Sequence, residues 1–186
     1  MRGSRQFVTA LQSAPTGGLR AMLVRRIPLT PLVESRAVDF LFTSGRPYRF
    51  NPAGVQCIYF AEDERTAAAE YERHNVAPHQ PFVTYYAEVA LRRVLDLCSS
   101  EALKALGLTE RDLCATWVRA RRATASQLLG EAVSRQSSMS AIRFPSEAAR
   151  IAGFAGTNVV VFPGRVRRPD FVRILGPTKK PLQRWP

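Results

Sequence analysis

Residues 82–97 alternate: Val83, Tyr85, Ala87, Val89 and Leu91 are apolar or aromatic, with Thr84, Tyr86, Glu88 and Arg92 between them. A period of two sends these sets to opposite faces, so the stretch is expected to be one long, half-buried strand. Typical strands run only ~5–6 residues, so this one commits the chain to a sheet built around it. Shorter runs offer partners. Ala21–Ile27 reads as a strand carrying Arg25 and Arg26, ended by Pro28 and Pro31, and Ile58–Ala61 as a short buried strand. Ile142–Phe144, Asn158–Phe162 and Phe171–Leu175 read as further strands.

Helix signals fall between them. Asp63 can cap a helix over about 64–74, in which Ala67, Ala68 and Ala69 favour helix and allow close approach to a sheet. Ser99 or Ser100 can open a short helix that Gly107 closes. Thr109 with Asp112 resembles a capping box, and Thr124 with Gln127 forms one, opening a helix of about 125–135. Residues 43–56 are rich in turn formers and read as a loop or irregular hairpin. Residues 1–20 are expected to be a loose lead-in, 21–176 the folded body, and 177–186 a basic tail. The 186 residues fit one α+β domain.

Composition narrows the function. Hydrophobic residues at 46% and charged residues at 23% exclude wholesale disorder. No run reaches the ~18 apolar residues of a membrane span, so no membrane association is expected. A secretory signal is not expected either. Cys57, Cys98 and Cys114 are odd in number and widely spaced, which argues against a disulfide framework or a cysteine zinc site and fits a cytoplasmic location. Cys57 reads as a buried, inert thiol. His74 and His79 lack a third ligand at a familiar spacing, so no metal is expected. The net charge of +12 sits at the ends. Residues 1–26 carry five arginines and no acid, and residues 163–186 carry seven Lys/Arg against Asp170, which leaves the body nearly neutral. That distribution reads as a solvated basic surface or a dock for an acidic partner; direct nucleic-acid binding is not expected. P-loop, G-x-G-x-x-G and HExxH motifs are absent.

One assembly stands apart. Arg25-Arg26 on a strand lead to Arg49-Phe50-Asn51-Pro52, then Tyr59 on a strand, Glu70 on the Ala-rich helix, and later Arg143-Phe-Pro-Ser146. The block GRPYRFNPAGVQCIYFAEDERTAAAEYERH resembles the core of the RES domain, with its G-x-R-[WF]-N-x-x-G loop, [IL]-Y-x-A strand and A-x-x-E helix. AIRFPSEAARIAGFAGTNVVVF is similar to that family's Ser-containing segment and the Asn-led strand after it. Together the two blocks extend the resemblance over about residues 22–162.

The resemblance implies an ADP-ribosyltransferase-like fold, with central β-sheets flanked by short helices. It implies a toxin of a bacterial type II toxin–antitoxin pair that consumes NAD⁺ as substrate, with no metal. Nicotinamide–ribose cleavage would pass ADP-ribose to a protein target, phosphate or water. The implied partner is an Xre-type antitoxin covering the site, and a homo-oligomer within that complex is compatible with the family. By position, the resemblance assigns Glu70, Arg49 and Tyr59 to catalysis, and Arg26, Arg49, Asn51, Tyr59 and Ser146 to NAD⁺ binding. Ile27 follows Arg26 where the family often has an aromatic, so the first-strand arginine is Arg25 or Arg26.

The chemistry suits these residue types. Arginine forks pair with a pyrophosphate, a carboxylate stabilises an oxocarbenium-like ribose, and an aromatic ring holds nicotinamide in place. Taken singly, the residues read more plainly. Glu70 would pair with Arg73 or His74 at the surface, Tyr59 would be core, and Arg49 would be solvated. Ser146 would be a helix N-cap, which leaves its part in function open. The alternative reading is a catalytically silent module that docks nucleic acid or an acidic protein through its basic termini.

Overall fold

The computed structural model describes residues 5–29, 41–43, 45–74, 81–118, 120–136 and 138–186. Pro31 and His79 therefore lie outside the described residues. In chain order the elements are α1 (Arg5–Ser13), β1 (Thr16–Pro28), β2 (Ile58–Ala61), α2 (Glu64–His74) and β3 (Phe82–Asp96). They continue with α3 (Ser100–Leu106), α4 (Glu110–Leu113), α5 (Ala125–Gln136), β4 (Ala141–Pro145) and α6 (Glu147–Ile151). The last are β5 (Thr157–Val161), a 3₁₀ turn (Pro163–Arg165), β6 (Phe171–Leu175) and β7 (Pro181–Trp185). The fold is the α+β domain that the sequence implies.

The long alternation is β3, and it organises the sheet. β1 runs antiparallel along it from Thr16↔Leu95 to Pro28↔Phe82. β6 and β4 pair with it as well, β6 antiparallel at Tyr86–Ala90 and β4 parallel at Val94–Asp96. The full order is β1-β2-β5-β4-β3-β6-β7, with β1 also paired to β3. The first five strands thus close on themselves, β1 meeting β2 at Val24↔Ala61. One irregularity resets the pattern. Between Gly17 and Leu19 the register on β3 moves from Val94 to Leu91, which inserts an extra residue at Arg92–Arg93. Both arginines are exposed there, and Val94 and Leu95 are buried beyond them. Such a bulge shifts which side chains face inward.

The central strands β3, β4 and β5 divide their side chains between two cores. Val159 and Val161 of β5 join Leu23, Ile58, Phe60, Ala87 and Val89 on one face. Val160, with Ile142 and Phe144 of β4, packs on the other against α1, α3 and α5. The helices start where their caps place them. Asp63 accepts from the Thr66 N–H at 2.7 Å, Ser99 caps α3, and Gly107 closes it in the left-handed region (φ 63°). Thr109 and Asp112 form a complete capping box on α4, and Thr124 and Gln127 another on α5.

Two segments differ from the sequence reading. The expected lead-in contains α1, because Phe7, Leu11 and Ala14 lie at helical spacing and are buried against α3 and α5. β1 accordingly begins at Thr16 rather than near residue 21. The expected tail contains β7, whose one charged residue, Arg184, faces solvent while its backbone pairs with β6 from Val172↔Trp185 to Leu175↔Pro181.

Helix α5 presses on the 48–51 loop at Gly130, where a Cβ would lie 1.6 Å from the Phe50 carbonyl oxygen. Gly130→Ala therefore has to part helix and loop. Overpacking of this kind costs ~1–3 kcal/mol, and each kcal/mol moves the melting midpoint of a chain this size by ~2–4 °C. Thermal unfolding should show that drop, and an unchanged midpoint would show that the contact yields freely.

Candidate active site

A cavity of about 330 Å³ opens where the ends of β1 and β2, helix α2 and the 43–56 loop meet. Arg25, Arg26, Arg49, Tyr59, Glu70 and Asn158 contribute to its wall. The sequence-assigned residues are drawn from distant parts of the chain, and local geometry explains how each arrives.

Glu70 comes from α2. Ala67, one turn earlier, is buried against Val24 and Ala61, and its small side chain lets the helix lie close to the sheet. The Glu70 carboxylate is then held from two sides. Ser146 Oγ donates to its Oε1 at 2.6 Å, and Asn158 Nδ2 donates to the same oxygen at 2.6 Å. Ser146 is also the N-cap of α6, its hydroxyl accepting from the Ala149 N–H at 3.1 Å. One hydroxyl does both tasks. Asn158, the second residue of β5, lies between two neighbouring strands, paired with Ala61 of β2 and Phe144 of β4. Gly156 keeps these pieces together, since a Cβ there would meet Thr66 Oγ1 at 2.5 Å and the Ala149 Cβ at 2.6 Å.

The 43–56 loop is shaped by Asn51 and Tyr59. Asn51 is fully buried and donates from Nδ2 to the Arg46 carbonyl at 2.7 Å and the Val55 carbonyl at 3.1 Å. Tyr59 donates its hydroxyl proton to Asn51 Oδ1 at 3.0 Å and accepts from the Phe50 N–H at 2.8 Å. Burial raises the Tyr59 pKa well above its ordinary value, so the phenol stays neutral. With its hydroxyl engaged by the loop, Tyr59 offers the cavity its ring.

The arginines divide by partner. Arg25 Nη1 donates to the Tyr59 carbonyl at 3.0 Å, and burial lowers its pKa. Arg49 Nη1 donates to the Leu113 carbonyl at 3.0 Å. Arg26 lies over the Phe82 ring at 4.6 Å, and its buried Nε has no hydrogen-bond partner. A buried donor left unpaired is costly, and a ligand acceptor would satisfy it. Between the open alternatives on β1, Arg25 is tied to the frame and Arg26 presents the unmatched donor. The cavity thus sets guanidinium groups, aromatic faces and one clasped carboxylate around a common space. That combination suits a ligand with an anionic part, a flat ring and a hydroxyl-bearing part next to the carboxylate.

The model of the family described as the RES domain matches residues 24–183. The chain belongs to the RES domain family. Comparison with curated proteins gives no match. Among solved structures, the fold is similar to a chain in the crystal structure of the M. tuberculosis MbcT-MbcA toxin–antitoxin complex. The TM-score is 0.59 at 20% identity, covering 96% of this chain and 90% of that one.

In this RES chain, Arg26, Arg49, Tyr59 and Glu70 line one cavity. Asn51 and Ser146 are not among the lining residues; they stand behind the wall and hold Tyr59 and Glu70. Asn158, Tyr48 and Trp117 are among the lining residues that the sequence reading did not assign to the site. Asn158 was legible only as the start of a strand, although the Asn-led run was itself a signal. Tyr48 sat in plain view beside Arg49. Trp117 comes from the segment after α4 and carried no local signal.

Cys57 is fully buried, and burial pushes its thiol up to about 12. Among the described residues no group of three His, Cys, Asp or Glu side chains could hold a metal ion. Two outcomes follow. Cys57 should resist alkylation at pH 8 in the folded protein and react after unfolding, because the thiolate is the reactive form; rapid native labelling of Cys57 would contradict its burial. Ser146→Ala removes a helix cap and a carboxylate donor together. It should lower stability by about 1–3 kcal/mol in denaturant titration, and a neutral result would break the dual role.

Proposed function

We propose that this RES protein is the toxin of a bacterial toxin–antitoxin pair and that it cleaves the nicotinamide–ribose bond of NAD⁺. The observation carrying this reading is the Glu70 carboxylate, clasped by Ser146 and Asn158 at the wall of a cavity that also holds Arg26, Arg49 and Tyr59. Membership of the RES family supports it, as does the fold shared with a chain of a toxin–antitoxin complex.

In this reading each residue has a role. Arg26 and Arg49 bind the pyrophosphate, whose dianion supplies the acceptors that the unpaired Arg26 Nε lacks. The Tyr59 ring packs against the nicotinamide end. Glu70 accepts from a hydroxyl of the adjoining ribose and faces the positive charge that grows at C1 as the C–N bond breaks. The bonding electrons leave with nicotinamide. An acceptor oxygen then bonds to C1 and releases its proton, giving ADP-ribose on a protein, on phosphate or as the free hydrolysis product. Ser146 and Asn158 keep the carboxylate in place, so that it need not reorganise during reaction.

In the cell an antitoxin of Xre type covers this cleft. Two guanidinium groups buried by a partner need negative groups opposite them, so the antitoxin presents carboxylates to Arg26 or Arg49. The site of action is the cytoplasm, where NAD⁺ and such a partner meet.

The test is nicotinamide release from NAD⁺ by the purified protein, with and without phosphate and with and without lysate proteins. Glu70→Gln should lower turnover by about 10²–10³ while leaving the fold intact, the usual cost of one preorganised electrostatic group. Arg49→Lys should weaken NAD⁺ binding markedly, since a point charge does not replace a bidentate fork. The pair Arg167→Ala and Arg168→Ala, on the basic C-terminal surface, should leave affinity unchanged. Near-wild-type turnover of folded Glu70→Gln, or no nicotinamide release by the wild type under any condition, would overturn the proposal. The second result is what a silent binding module would give.

A further inference from the structure

The cavity carries an aromatic wall that the proposed chemistry does not use. Tyr48 and Trp117 both line it, their ring centroids 5.2 Å apart and their planes tilted by 47°. At that tilt the rings do not stack on each other, and they leave an open-sided shelf. Tyr48 is 38% exposed and Val118, next to Trp117, is 70% exposed, so the shelf lies at the cavity's mouth. Large aromatic surface left facing an open cavity is a natural platform for a flat ligand ring.

The shelf is also built with care. Gln127 of α5 donates from Nε2 to the Tyr48 carbonyl at 2.9 Å, and the Tyr48 N–H donates to the Asn51 carbonyl at 2.9 Å. The segment bearing Trp117 is fastened by Arg49, through its bond to the Leu113 carbonyl at 3.0 Å. Arg49 therefore joins the shelf to the anion-binding part of the cavity. The Tyr59 ring is 6.0 Å from Tyr48 and 6.4 Å from Phe144. Phe144 leads within two residues to Ser146, which holds Glu70.

Placing NAD⁺ by the roles proposed above points to the ring that the shelf takes. With C1 of the nicotinamide ribose at Glu70 and the pyrophosphate at Arg49, the group beyond the pyrophosphate is the adenosine. We propose that Trp117, with Tyr48, stacks on the adenine of the dinucleotide and determines specificity for a purine at that end. This rests on the NAD⁺ reading above. Trp117 touches no reacting atom in this arrangement, and its contribution is to binding.

The chain holds two tryptophans, and the other, Trp185 of β7, lies against Phe42. In a Trp185→Phe background, fluorescence therefore reports Trp117 alone. AMP and ADP-ribose should change it saturably, and nicotinamide should not. Base–aromatic stacking is worth ~1–3 kcal/mol, so Trp117→Ala should raise the Kd for AMP and the KM for NAD⁺ by roughly 5- to 150-fold. The turnover number should stay within a few-fold of wild type, inhibition by free nicotinamide should be unchanged, and Trp117→Phe should restore most of the affinity. Thermal melts establish that each variant is folded. Unchanged AMP binding in folded Trp117→Ala, or loss of nicotinamide inhibition in its place, would overturn the adenine assignment while NAD⁺ cleavage by the wild type stands. Absence of both NAD⁺ cleavage and AMP binding in the wild type would overturn the function and this inference together.

Discussion

A carboxylate that accepts two hydrogen bonds on one oxygen, both at 2.6 Å, ties together three pieces of chain that meet nowhere else in sequence. Glu70 belongs to α2, Ser146 to the cap of α6 and Asn158 to β5. Each anchor is itself fixed. Asp63 caps α2, the Ser146 hydroxyl caps α6, and Asn158 is laddered between β2 and β4. Gly156 allows the tops of α2 and α6 to approach to a distance that any side chain there would forbid. The carboxylate's orientation is thus a consequence of the sheet's closure, since β2, β5 and β4 must be adjacent before these groups can meet. A further clamp stands behind them, where Arg143 of β4 bonds bidentately to Glu62 at 2.6 and 2.8 Å and to Asp96 at 2.9 Å. It joins the residue before the α2 cap to the end of β3. Charged pairs half-exposed in this way add positional precision more than stability.

The second organising device is the Asn51–Tyr59 cross-link. A loop so rich in Gly and Pro would otherwise have many conformations. Here one buried amide satisfies two of its carbonyls, and one phenol joins it to β2. The arrangement brings Tyr48, Arg49 and the Tyr59 ring to the cavity as a unit. It also explains why α5, which carries no lining residue, matters to the site: Gly130 and Gln127 support the same loop from behind.

The sequence was most readable where one period or one cap decides the outcome. β3 announced itself by alternation, α2 by Asp63 and its alanines, and α5 by the Thr124–Gln127 box. The bulge at Arg92–Arg93 was not readable, because two exposed arginines in a row are compatible with strand, bulge or turn until a partner strand sets the register. α1 and β7 were hidden for a related reason. Each is stabilised by what it packs or pairs against: α1 is a short helix whose amphipathic spacing of Phe7, Leu11 and Ala14 forms only against the core, and β7 is held through β6 with no pattern of its own. For the site, motif spacing led to Arg49, Tyr59 and Glu70, which the fold brings to one cavity. Motif spacing could not separate residues that face a cavity from residues that hold them. Asn51 and Ser146 share the motifs yet lie behind the wall, and Trp117, in no motif, lines it. The basic ends, conspicuous by composition, lie largely elsewhere: the C-terminal cations gather around β6 and β7, where Arg173 and Arg184 flank Phe171 and Asp170 pairs with Arg92.

The central claim is that the cavity beside Glu70 is where NAD⁺ binds and is broken. The most direct measurement is a crystal structure of the Glu70→Gln protein soaked with NAD⁺, in which slowed cleavage traps the intact dinucleotide. The account predicts density for NAD⁺ in this cavity, with the nicotinamide ribose hydroxyls within hydrogen-bond distance of residue 70 and the pyrophosphate against Arg26 and Arg49. An empty cavity at saturating NAD⁺, or a dinucleotide bound on the basic surface of β6 and β7, would contradict it.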